Sequence, residues 1–169
     1  MNHPQDLRTP RLAAAVACAV GVWLGSAPPA GAQTAPAERC RTLRIEARGI
    51  FVSGASCPSP VGLCVEGTFR GGLRGTVFLS AEAANPVPSD PLGRQAVVGS
   101  LDFTTRDGVF TVDTVTVFDA ERGTAAGSGR VVDGSGRFAG ASGDHIVFGQ
   151  VLPDGSIKTT QRTTLCLPR

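Results

Sequence analysis

The residues of this chain that could do chemistry are few and scattered. His145 follows Asp144, the residue types of a general base and its orienting acid. Neighbours along a strand point to opposite faces, so these two do not form a dyad, and His145 is expected at the surface or at a loop rim. Ser142 lies in Gly140-Ala141-Ser142-Gly143-Asp144, which lacks the G-x-S-x-G spacing and the following helix of a hydrolase elbow. Gly134-x-Gly136 followed by Gly140 misses the spacing of a dinucleotide-binding turn. Six charged residues, Glu46, Glu66, Arg70, Asp102, Asp113 and Asp119, fall within or at the ends of β-patterned runs. A carboxyl facing an apolar interior would have a raised pKa and could move a proton, as in many isomerase and cyclase sites. The plainer expectation is that they alternate with apolar residues as outward-facing polar positions.

Cys40, Cys57, Cys64 and Cys166 follow an N-terminal segment with the marks of a secretory leader. Arg8 and Arg11 precede an apolar run from Leu12 to Leu24, which ends in Ala30-Gly31-Ala32. The run is shorter than the roughly 20 residues of a bilayer-spanning helix, so cleavage after Ala32 is expected and no membrane span should survive it. Lipid attachment at Cys18 would leave most of the apolar run beyond the cleavage point. Export to a periplasm or to the medium follows, and four cysteines in an oxidising compartment argue for two disulfides. Zinc would want close cysteine pairs with histidines, which this spacing does not offer, so no metal or other cofactor is expected.

The formal charge of the 169 residues is +2, and Arg39 to Arg169 are spread singly, with Lys158 the lone lysine. Nothing there suggests a nucleic acid partner or an anionic membrane surface. What must position the scattered polar groups is a set of short runs rich in Val, Thr, Phe and Ile, separated by Gly, Pro and Asp, with no helical period. Eight strands are expected near Thr42 to Val52, Gly62 to Arg70, Gly75 to Ala84, Gln95 to Thr104, Val109 to Asp119, Thr124 to Val132, Gly143 to Val151 and Ser156 to Leu167. Arg106-Asp107-Gly108 and Pro153-Asp154-Gly155 read as hairpin turns. Asn85 to Pro91, with three prolines, reads as a loop over one barrel mouth.

Short connections favour a single all-β domain over residues 40–169, an eight-stranded antiparallel up-and-down β-barrel, after a short tail at 33–39. Closure removes exposed edges that a sandwich would keep. In such a barrel the first strand starts beside the end of the last, which favours Cys40 with Cys166 and Cys57 with Cys64, although spacing alone does not fix connectivity. One face of the fifth run carries Phe110, Val112, Thr114, Thr116 and Phe118, the candidate cavity lining. The opposite face, with Val109, Val115 and Val117, is too apolar for water alone and makes self-association the natural expectation. Gly134-Ser135-Gly136-Arg137-Phe138-Ala139-Gly140-Ala141-Ser142-Gly143 is a glycine-punctuated turn with one bulky plug, Phe138.

That turn, with Gly127-Ser128-Gly129-Arg130 before it and a Thr-rich terminal run after it, resembles the allene oxide cyclase and dirigent barrel superfamily. The upstream Gly62-Leu63-Cys64 and Gly71-Gly72-Leu73-Arg74-Gly75-Thr76 are similar to bacterial secreted proteins carrying this barrel. The resemblance implies a calycin-like barrel, often trimeric, whose cavity shapes a small hydrophobic molecule. It transfers no catalytic set, because the chain has no Tyr. A dirigent-like binding barrel without covalent catalysis is therefore the first expectation. A cyclase or isomerase with a buried acid is the second, and a solid-cored envelope module the third. Small interior residues would favour the first two, and interdigitated Phe, Val and Leu the third.

Overall fold

The computed structural model describes residues 38–169. The expected leader through Ala32 and most of the expected tail lie outside the described residues.

Eight strands form a closed barrel in chain order, every neighbouring pair antiparallel, with β1 returning to β8. They are β1 (Glu38–Val52), β2 (Cys64–Gly71), β3 (Gly75–Pro86), β4 (Gln95–Thr105), β5 (Gly108–Asp119), β6 (Thr124–Gly134), β7 (Ser142–Val151) and β8 (Ile157–Pro168). β1 starts four residues before the expected Thr42. Its first residues stay in the ladder because Glu38 to Arg41 pair with Pro168 to Leu165. The register sets Cys40 opposite Cys166, and these two sulfurs are bonded; the second disulfide joins Cys57 to Cys64 across the β1–β2 connection.

The two ends of the barrel differ because their inward residues differ in size. Towards the chain termini, Leu43, Ile45, Phe69, Leu101, Phe103, Phe110, Val112, Val131 and Leu165 fill the interior. Phe103 stacks on Phe110 at 4.7 Å between ring centroids, while Phe69 meets Phe103 edge-on at 5.3 Å. The β6–β7 connection then folds over this end. Phe138, on a short 3-10 turn at Gly136–Phe138, is buried and meets the edge of Phe110 at 5.3 Å. The glycines around it make that approach feasible. Gly136 and Gly140 adopt positive φ, and a Cβ on Gly134 or Gly143 would collide with the carbonyls of Phe138 and Thr164.

At the opposite end the rows around the barrel carry small residues. One runs Gly99, Thr114, Gly129, His145, Thr163; the next runs Val97, Thr116, Gly127, Val147, Gln161. Three glycines in two adjacent rows leave the interior unfilled there.

Candidate functional site

The unfilled half is a cavity of about 240 Å³. Ala47, Val77 and Leu101 lie at its boundary with the packed core, and Val65, Leu79, Val97, Phe118, Ala125, Val147 and Ile157 supply most of its apolar wall. Its polar lining residues are Thr114, Thr116, Thr159, Gln95, Gln150 and Gln161, and Arg48 is the one charged residue among the described lining residues. At ~30 Å³ per water the space equals about eight waters.

Of the five β5 residues expected along a cavity, the structure separates two from three. Thr114, Thr116 and Phe118 line it, whereas Phe110 and Val112 are fully buried in the packed half. The alternation is continuous along β5; the change lies in the partners, since Phe110 faces Phe103 while Thr114 lies between Gly99 and Gly129.

His145 corrects the expectation of a surface position, being 1% exposed. β7 turns its more apolar residues outward, so that Phe148 is 62% exposed while His145 and Val147 point inward. Room for the imidazole comes from Gly129, its neighbour on β6. The ring lies 5.9 Å from that of Phe103, and Nδ1 is 2.9 Å from the Thr163 hydroxyl. Burial holds its pKa down from 6.5 to about 4, so the imidazole is neutral at pH 7. Asp144 lies on the outer face, and the two form no dyad.

No carboxylate occurs among the described lining residues of the cavity. Glu46 and Arg70 form an exposed ion pair at 3.3 Å, and Glu66 and Asp113 are exposed. Asp102 accepts a hydrogen bond from the Thr111 hydroxyl at 2.7 Å. Asp119 is buried in the β5–β6 turn, where it accepts from the Arg122 backbone N–H and guanidinium, both at 2.9 Å.

Asp119 belongs to a set of rim braces that the sequence did not disclose. Three connections at the mouth are each held by an aspartate and an arginine. In the β3–β4 loop, Arg94 donates to both carboxylate oxygens of Asp90, at 2.7 and 3.0 Å. In the β7–β8 turn, Asp154 accepts from Arg48 at 2.8 Å and from the Ser156 hydroxyl at 2.6 Å. The Arg94 side chain holds Asp90 down from 3.8 to about 2. The Arg122 N–H lowers Asp119, and the Ser156 hydroxyl lowers Asp154. The fourth connection is tied down by buried Ser59, whose hydroxyl donates to the Ala81 carbonyl and accepts from the N–H groups of Val61 and Leu63. That fixes Leu63 at the cavity wall.

At the closed end, Glu38 lies near Cys40 and Cys166. The two sulfurs form a disulfide, so this group offers a metal one carboxylate only.

Comparison of the chain with family models, with curated proteins and with solved structures finds no match.

Proposed function

We propose that the protein is a dirigent-like binding barrel that holds a small hydrophobic molecule in the mouth half of its interior, without covalent catalysis. The cavity carries this reading: braced loops surround an apolar, largely preformed space closed at one end by a packed aromatic core. Apolar concave sites with a few convergent polar groups are where small ligands bind. Among the described residues, the lining hydroxyls have no adjacent base to activate them. Thr114 donates to the Ser128 carbonyl, and Thr159 accepts from Gln161, so they serve as hydrogen-bonding groups and not as nucleophiles. The cyclase reading loses its buried acid, since the candidate carboxylates sit on the outer face or the rim. The solid-cored reading describes only the terminal half. Two disulfides suit an exported protein.

Thr116→Phe places a ring in the cavity and tests the proposal. Protein purified from its native host and examined by native mass spectrometry should carry a retained small molecule that the variant lacks. An empty wild-type protein that also takes up no apolar probe refutes the proposal.

Self-association belongs to the outer face of β4 to β7. Val98, Val115, Ser128 and Ile146 are successive neighbours there, and Phe148 stands beside them. Exposure of Val115 (51%) and Phe148 favours a second copy of this chain, in a trimer, as the covering surface. Sedimentation should show an oligomer that Phe148→Asp converts to monomer; a monomeric wild type contradicts it.

A further inference from the structure

The floor of the cavity carries polarity that the fold does not use. Gln161, 4% exposed, is one of the residues that line the cavity. Its Nε2 donates to the Thr159 hydroxyl at 2.7 Å, while Oε1 is buried and has no partner among the described residues. On the neighbouring strand, Nε2 of His145 is likewise buried without a partner. The two residues are diagonal in the β7–β8 ladder, because His145 pairs with Thr163 and Val147 with Gln161. Buried polar atoms without a hydrogen bond are rare, and each raises the question of what satisfies it.

We infer that the cavity selects a small uncharged apolar molecule with one hydroxyl, bound with the hydroxyl inward against the Gln161 amide. The inference rests on the cavity being the binding site. Three features set the chemistry. A hydroxyl both donates and accepts, so it satisfies the free end of the amide whichever way that amide is turned. A carboxylate has no cation to meet at the floor, since the one charged residue among the described lining residues is Arg48, already paired with Asp154 at the rim. A purely apolar molecule would bury the amide with its bond unmade.

Toluene, benzyl alcohol and benzoate share a ring and differ in the group at issue, so titrating them separately into the protein, followed by NMR, tests the inference. Benzyl alcohol should bind the wild type at least as tightly as toluene, despite its better hydration. In Gln161→Leu, benzyl alcohol should weaken about 3- to 10-fold, with toluene unchanged or tighter. Benzoate should bind at least about 10-fold more weakly than benzyl alcohol. Should Gln161→Leu fail to fold, Gln161→Met replaces it. In the wild type, the Gln161 side-chain NH₂ resonances should move with benzyl alcohol and not with toluene. Binding of toluene and benzyl alcohol that is indifferent to position 161 overturns the selectivity and leaves the binding barrel standing. Benzoate binding tightest, and depending on Arg48, also overturns it by reversing the ligand. Binding of none of the three overturns the inference together with the binding reading.

Discussion

Lowering the pH should destabilise this barrel through one residue before its aspartates matter. His145 is neutral in the folded protein, with a pKa near 4, and returns to about 6.5 when the chain unfolds. Between those values the unfolded chain binds the extra proton and the folded chain does not, so stability is constant above pH 6.5 and falls as the pH drops towards 4. The span between about 4 and 6.5 gives a loss of about 3 kcal/mol, most of it reached by pH 4. With a urea m-value of about 1–3 kcal/mol/M, that moves the midpoint by about 1–3 M. The assay is urea unfolding at pH 7, 6, 5 and 4 for the wild type and for His145→Gln, which keeps hydrogen-bonding atoms but does not titrate. The wild type should lose about 3 kcal/mol more than the variant. Parallel pH profiles would mean that the imidazole is solvated in the folded state, refuting its placement between Phe103 and the cavity floor.

Three further expectations concern the frame. Closing a loop across a sequence separation of 126 stabilises far more than closing one across 7, so removing the Cys40–Cys166 bridge as a double Ala variant should cost about 5 kcal/mol and removing Cys57–Cys64 about 2.5 kcal/mol. Equal losses or the reverse order in urea unfolding would contradict this. Phe138→Ala should cost about 3–5 kcal/mol, because the ring caps Phe110 at the closed end; a loss under about 1 kcal/mol would show that the cap carries no packing. Below pH 4, Asp90, Asp119 and Asp154, whose pKa values are lowered by their rim partners, should progressively lose those partners. Hydrogen exchange should then rise in the rim connections ahead of the closed end, and uniform exchange would contradict it.

Much of the frame was legible in the sequence because it is written in local chemistry. Asp107-Gly108 and Asp154-Gly155 mark reversals, Pro88 and Pro91 fall in the β3–β4 loop, although β3 runs on through Asn85 and Pro86 paired with Ala96 and Gln95, and the eight β-patterned runs all became strands. The division of the interior was not legible, because it depends on which residues meet across strands. The stripe from Phe110 to Phe118 reads as one apolar face, and only the register shows Phe110 against Phe103 and Thr114 between two glycines. His145 was hidden for a related reason: Ile146 and Phe148 are the more apolar face of β7, yet they point outward. Gln161 gave no signal at all within a Thr-rich run, and its place at the cavity floor follows from pairing with Val147.

The central claim, a barrel hollow at the mouth and solid at the floor, is tested most directly with xenon, which occupies dry apolar cavities. Methyl resonances of the methyl-labelled protein should be followed as xenon is added. Saturable shifts are expected at Ala47, Val97, Leu101 and Val147, with Leu43, Ile45, Val112 and Leu165 unmoved. Shifts in both sets, or in neither, would contradict it.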